Sequence, residues 1–250
     1  MTAAGAAPGL TDLNGLPFVD DSFSARRLLA MTAAIRHAAA CQRGLSGSIG
    51  IGQAETWLGP ARALLLSASS TPLPAQPLSA ACKQQVTRAL AGIAARVPPW
   101  RLLLGLPVRY ARLYPAGGAI SASSRDWPQH VLLADEAFAT SRELAEQVLH
   151  ELAHQWLYLI EDIWPLQLPG AASLTLPSGT RDRRPAEVLG AAHVAATLVR
   201  LYRHTAAEWA AGRIRALAAY GTGCLELVGT VSGDLTESGT LIAQRLKEAF

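Results

Sequence analysis

The sequence predicts an α+β fold that is mostly helical, with a small sheet ahead of a metal-binding helix. Ala-rich stretches with apolar residues every three or four positions predict most of the helices. Shorter apolar runs between Trp100 and Ala139, separated by Gly and Pro, predict extended segments. A second long helix, beginning at Pro185, is expected to carry a further metal ligand.

The motif His150-Glu151-Leu152-Ala153-His154 is the most informative part of the chain. In a helix, residues four apart project from the same face, so the two imidazoles can aim at one point and hold a divalent transition metal there. Glu151 lies to one side, where it can hydrogen-bond a metal-bound water or act as a general base. We therefore expect His150 and His154 to be metal ligands and Glu151 to be the catalytic residue.

The surrounding residues predict the helix that this motif needs. Thr140 and Glu143 form a capping box that starts it, and Pro165 prevents its continuation. Apolar side chains recur at helical spacing and predict one buried stripe, while the polar residues fall on another face. The buried stripe comprises Leu149, Leu152, Trp156 and Leu159, and the polar face includes Gln147 and Tyr158 besides the motif residues.

Composition limits the classes of protein to consider. The chain has 250 residues, of which 50% are hydrophobic and 16% charged, enough for one large domain or two small ones. A net charge of +3 without a basic stripe argues against nucleic acid as a partner. We expect no membrane association and no signal peptide, and three widely spaced cysteines suit the cytoplasm.

Three parts of the chain differ in pattern. Residues 1–22 are non-periodic and predict a flexible arm, 23–99 a helical part, and 100–250 the metal-binding part. The last two parts are predicted either as separate units or as one continuous domain. Helices are predicted at 24–43, 56–67 (interrupted by Gly59-Pro60), 79–97, 185–204 and 241–250, with a further segment at 205–220 ended by Gly221 and Gly223. Extended segments are predicted at 102–106, 108–113, 119–123 and 130–134, and a linker at 70–77.

A metal held by two His needs at least one more protein ligand. The metzincin continuation would need Gly at 157 and His at 160, where this chain has Leu157 and Ile160, so that family is excluded. Two candidates lie on the helix after Pro185. Glu187 would give a His-His-Glu site, as in thermolysin-like peptidases or non-haem iron oxygenases, and His193 a three-His site. They point about 120° apart, so we expect only one to bind, and the small residues around His193 favour it.

The motif, followed by Arg183-Arg184-Pro185 and Gly190-Ala-Ala-His193, resembles the HExxH-type peptide-modifying proteins of ribosomal peptide natural product biosynthesis. The terminal stretch 235–239 is similar too, and the likeness covers roughly 131 to the C-terminus. This chain departs from the pattern at Val194, where family members often have Gly. The resemblance implies iron(II)- and 2-oxoglutarate-dependent β-hydroxylation of a precursor peptide, with His150, His154 and His193 as ligands.

A 2-oxoglutarate enzyme needs a cation for the distal carboxylate of the cosubstrate. By the resemblance we expect Arg184 in that role, with Arg200 as the second choice. The alternative function is a zinc metallopeptidase in which Glu151 is the general base and Glu187 or His193 the third ligand. A third possibility is a non-catalytic protein that binds peptides.

Overall fold

The computed structural model describes residues 9–47, 49–67 and 71–250. In these ranges the chain forms eight α-helices and four short strands, which confirms the mostly helical α+β class. The helices are α1 (Ala25–Gln42), α2 (Pro60–Leu66), α3 (Ala80–Arg96), α4 (Arg101–Leu104), α5 (Ser141–Glu161), α6 (Pro185–Arg203), α7 (Glu208–Thr230) and α8 (Glu237–Lys247). The strands are β1 (Ala75–Gln76), β2 (Arg109–Leu113), β3 (Ser121–Ala122) and β4 (His130–Leu133).

The sheet has the strand order β1-β2-β4-β3. Strands β2 and β4 are parallel, with Tyr110 opposite Val131, and the two edge strands run antiparallel to their neighbours. All four residues of β4 are buried, because this central strand is covered on both faces, and this explains its uninterrupted apolar pattern. Strand β4 leads, through one 3-10 turn, directly into α5.

Helix α5 forms where the capping signal predicts it. The Thr140 hydroxyl accepts a hydrogen bond from the Glu143 amide at 3.0 Å, which satisfies one of the free N–H groups of the first turn. The predicted stripe of Leu149, Leu152, Trp156 and Leu159 is buried, as expected. The polar side chains Glu151 and His154 instead face β3 and the first turns of α6.

Helices α5 and α6 pack side by side and run in opposite directions. Gly190, near the start of α6, lies against His154 and Leu157, while Tyr202, near its end, donates a hydrogen bond to Glu146. The first helical residue of α6 is Pro185, as predicted, because its fixed φ suits this position. This pairing puts the first turns of α6 beside the second half of α5.

The prediction of a flexible arm at 1–22 is wrong for residues 9–22. Leu13 and Phe18 have no exposed surface and belong to one hydrophobic core that extends from Leu10 to Leu246. The segment contributes apolar side chains that fill the core, although it has no helical periodicity. Residues 1–8 lie outside the described residues.

Three further predictions need correction. Residues 102–106 were expected to be extended, but Arg101–Leu104 is helical, because the Pro98-Pro99-Trp100 turn starts a helical segment there. Helix α7 continues through Gly221 and Gly223, since the missing side chain at 221 makes room for the ring of Phe250. Helix α8 begins at 237 rather than 241, because Thr236 caps it.

The linker predicted for 70–77 contains the edge strand β1, and residue 70 lies outside the described residues. The predicted interruption at Gly59-Pro60 is confirmed, since a 3-10 stretch ends at Leu58 and α2 begins at Pro60. In the described ranges, no helix has both the length and the apolar character needed to cross a membrane.

Candidate metal centre

The two motif histidines lie next to each other on the polar face of α5. Their ring centroids are 5.0 Å apart with an angle of 62° between the ring planes. The side chain of His150 is 37% exposed, and His154 lies deeper, between α5 and α6. The sequence prediction that the pair shares one face is therefore confirmed.

The surroundings of His154 favour its neutral form. Burial lowers the pKa of His154 well below its usual value, and electrostatic interactions with His150, His193 and Arg183 lower it further. A neutral imidazole keeps a nitrogen lone pair free for a metal ion. The uncharged ring of His154 is thus favoured over the protonated one.

Tyr158 closes one side of the imidazole pair. Its ring stacks on that of His154, with centroids 6.0 Å apart and 16° between the planes. Burial raises the pKa of Tyr158, and the negative charge of Glu151 adds to the effect. The side chain therefore remains a neutral phenol that can donate a hydrogen bond.

Glu151 faces strand β3 and is almost completely buried, with 3% of its surface exposed. The Ser121 hydroxyl lies 2.6 Å from Glu151 Oε1 and 2.7 Å from Gln147 Oε1, so its single hydrogen can serve only one of them at a time. Glu151 Oε1 is 3.9 Å from Nε2 of His150. The carboxylate is thus held beside the exposed imidazole by an edge strand that the motif itself does not include.

Gly190 lies on α6 midway between the two candidate third ligands. A Cβ atom on Gly190 would lie 3.3 Å from Nδ1 of His154, so this glycine marks the contact between α6 and the site. Glu187 precedes it by three residues and His193 follows it by three, which puts them about 60° to either side of the contact line. The two candidates therefore lie on opposite flanks of the helix pair.

His193 lies on the flank that faces the N-terminal segment. It has no exposed surface, and its Nε2–H donates a hydrogen bond to the carbonyl of Pro17 at 2.8 Å. Burial lowers its pKa to about 4, although the hydrogen bond to the Pro17 carbonyl opposes the shift. In this arrangement, the ring connects residues 9–24 to the two central helices.

Glu187 lies on the flank of the polar face, where its charge acts on Tyr158 and Glu161. Its Oε2 accepts the backbone N–H of Arg184 at 2.8 Å, and its Oε1 accepts a hydrogen bond from Arg183 at 2.8 Å. The carboxylate thus caps its own helix in the structure. Accordingly, no group of three or more His, Cys, Asp or Glu side chains within the described ranges is arranged to hold a metal.

The arginines predicted for the cosubstrate occupy different positions. Arg184 is exposed at the start of α6, whereas the charge of the preceding Arg183 reaches His154. Arg200 donates hydrogen bonds to the Val19 carbonyl at 2.5 Å and pairs with Asp21, so it holds the N-terminal segment rather than facing the imidazole pair. Among the arginines, the one whose charge acts on His154 is Arg183, which precedes the predicted Arg184 in the same loop.

The donor chemistry of the site suits iron(II) and zinc alike. Imidazoles are ligands that both metals accept, and the pair presents two of them on one helix face. No protein-family model matches this chain, and none of the curated proteins is detectably similar to it. The function is therefore argued from the site.

Proposed function

We propose that this protein is an iron(II)- and 2-oxoglutarate-dependent peptide hydroxylase whose metal is held by His150 and His154. The observation that carries the proposal is the imidazole pair on one face of α5, with ring centroids 5.0 Å apart, together with Arg183, a cation just before α6 that is hydrogen-bonded to Glu187 and whose charge acts on His154. A dianionic cosubstrate beside the metal needs such a cation.

We propose Glu187 as the third ligand in place of His193, which completes a site of two imidazoles and one carboxylate. Support comes from its position on the flank of the polar face, where its charge acts on Tyr158 and Glu161. To bind, Glu187 exchanges its two capping hydrogen bonds for the metal. This exchange also frees the Arg183 guanidinium for the cosubstrate.

The peptide substrate is proposed to bind along β3. Among the described residues this strand pairs only with β4, so its outer edge is open to an extended chain. Ser121 of β3 contacts Glu151 and Gln147, and a peptide added to this edge would therefore pass the imidazole pair. The polar groups along the edge are suited to orient a backbone.

When bound, iron and 2-oxoglutarate supply the oxidising chemistry: one oxygen atom of O₂ enters succinate, released with CO₂, and the other enters the hydroxyl group of the peptide. The side chains of the protein position the bound groups. Glu151, oriented by Ser121, places its negative charge beside the His150 ring, and the Tyr158 phenol can donate a hydrogen bond to a bound group. No hydrolytic base is required.

Reconstitution tests this proposal. Anaerobic titration should give one iron(II) per chain, and succinate should then form only with O₂ and 2-oxoglutarate present. His150→Ala and His154→Ala should lose the metal, whereas His204→Ala, an exposed histidine at the end of α6, should bind as the unchanged protein does. Peptide turnover that persists without O₂ or 2-oxoglutarate would overturn the proposal.

A zinc metallopeptidase remains a second candidate because Glu151 Oε1 lies 3.9 Å from His150 Nε2, close to where a metal-bound water would need a base. Glu151→Gln separates the two functions. Loss of nearly all turnover, together with zinc-dependent cleavage of a peptide bond, would favour the peptidase. A modest loss of 2-oxoglutarate-dependent turnover would favour the hydroxylase.

We propose a cytoplasmic location. The three cysteines are free in the structure, and Cys224 is buried in the core. Free thiols that persist suit a reducing compartment.

A further inference from the structure

A second region with binding chemistry lies at the other end of α5. A cavity of about 590 Å³ opens between α3, the first turn of α5, the end of α6 and the start of α7. We call it the arginine groove, after Arg88, Arg96 and Arg142 in its wall. It shares no lining residue with the imidazole pair.

The charge of the groove is positive and largely unpaired. Arg88 and Arg96 are exposed, and within the described part of the chain neither has an acidic partner or a hydrogen bond. The guanidinium of Arg142 lies over the ring of Trp209, 4.7 Å from its centroid. Glu146 is the one acidic residue in the described wall, and it is already bound by Tyr202 and Arg213.

The spacing of the arginines sets the length of a matching ligand. Arg88 and Arg96 are eight residues apart on α3, which corresponds to about 12 Å along the helix. Two carboxylates at a similar spacing can pair with both guanidinium groups at once. An extended peptide rises about 3.3 Å per residue, so side chains four positions apart span this distance.

The part of the groove wall between the charges is apolar. Phe138, Leu144 and Leu201 contribute to it, and Trp209, 41% exposed, stands at the rim. Such a surface suits an apolar side chain between two charged ones. A peptide with this pattern would fill both parts of the groove.

We propose that the arginine groove binds an acidic peptide segment in an extended conformation, with two carboxylates four residues apart and an apolar side chain between them. The carboxylates pair with Arg88 and Arg96, and the apolar side chain packs beside Trp209 and Phe138. This binding does not rest on the proposed hydroxylase activity, since no groove residue belongs to the metal centre.

A capped synthetic peptide with Glu, Leu and Glu at alternate positions is the probe, titrated into the metal-free full-length protein by calorimetry. A peptide of the same composition with adjacent Glu residues is its control. We expect the spaced peptide to bind at least about threefold more tightly, and its affinity to fall as salt is raised, because the charges are exposed.

Variants locate the site. Arg88→Gln and Arg96→Gln should each weaken binding by about three- to fivefold, and together by about tenfold. Lys83→Gln is the matched control, since Lys83 is an exposed cation on the same helix outside the groove. Equal binding of the two peptides, or an equal loss in Lys83→Gln, would overturn the proposal, because both would indicate attraction to net charge alone. Binding by His150→Ala should be unchanged.

Discussion

The backbone of Gly190 lies directly against the imidazole of His154, where an added Cβ atom would be 3.3 Å from Nδ1. This contact fixes how closely α6 approaches the motif helix. It also decides which α6 residues reach the polar face, because Glu187 and His193 fall on either side of it. A glycine with no chemistry of its own thus sets the geometry of the candidate metal centre.

Gly190→Ala should weaken metal binding. Glycine to alanine in a helix interior normally stabilises by about 1 kcal/mol, but here the methyl group would press on the His154 ring, and we expect a net loss of about 1 kcal/mol in the free energy of unfolding. Denaturant unfolding measures the change in stability, and iron titration measures the change in metal affinity. Gly212→Ala is the control, since Gly212 is exposed on α7 and the change should stabilise.

Glu187→Gln should show whether Glu187 or His193 is the third metal ligand. The amide oxygen can still accept the Arg184 N–H, so the helix cap is largely retained, while a strong metal ligand is lost. We expect metal affinity to fall by more than about tenfold with little change in unfolding. His193→Gln should instead lower the free energy of unfolding and leave metal affinity nearly unchanged. If His193→Gln alone abolishes metal binding in a folded protein, His193 is the ligand and our choice of Glu187 is wrong.

Acid should destabilise the metal-free protein through its buried histidines. The pKa of His193 is lowered to about 4 in the folded state from a usual value of 6.5. Between these values the unfolded chain binds the proton that the folded chain refuses, so the free energy of unfolding falls as pH decreases, by about 3 kcal/mol at most. The lowered pKa of His154 acts in the same direction.

Denaturant unfolding at a series of pH values from 7 to 4 measures this dependence. His193→Gln should be less stable at pH 7, because burial of the ring is lost, and should show a shallower slope below pH 6.5. A slope identical to that of the unchanged protein would contradict the assignment of the effect to this side chain.

Gln155→Leu should destabilise the junction of α5 and β4. Gln155 is buried; its Oε1 accepts the Gln129 N–H at 2.7 Å, and its amide donates to the His130 carbonyl at 3.1 Å. Leucine would leave both backbone groups without partners, at about 1–3 kcal/mol each. Thermal unfolding measures the loss of stability. Gln155→Glu can still accept a hydrogen bond but cannot donate one, so its stability should lie between those of the unchanged protein and Gln155→Leu. Unchanged stability in Gln155→Leu would show that water replaces these bonds.

Much of α5 could be predicted because its signals are local. The cap at Thr140, the buried stripe through Trp156 and the shared face of His150 and His154 all follow from helical spacing. Ser121 could not be found this way, since it reaches Glu151 only because β3 pairs with β4. Gln155 gave no signal either, as its partners lie 25 and 26 residues away.

The N-terminal segment and α7 show the limits of local reasoning in the fold itself. Residues 9–22 lack periodicity, yet Leu13 and Phe18 are completely buried, because burial depends on the surface available to a side chain and not on the pattern around it. Gly221 and Gly223 were expected to end a helix, but a glycine that makes room for Phe250 is compatible with one.

The sequence by itself determined the fold class, the length of the motif helix and the juxtaposition of its two imidazoles, because helical geometry relates residues four apart without reference to the rest of the chain. Only the tertiary structure decided which flank of α6 each of Glu187 and His193 occupies and which arginine stands near His154. Those relations depend on how α6 is rotated against α5 and how closely the two helices approach. In this protein, the close contact at Gly190 sets the rotation and the approach.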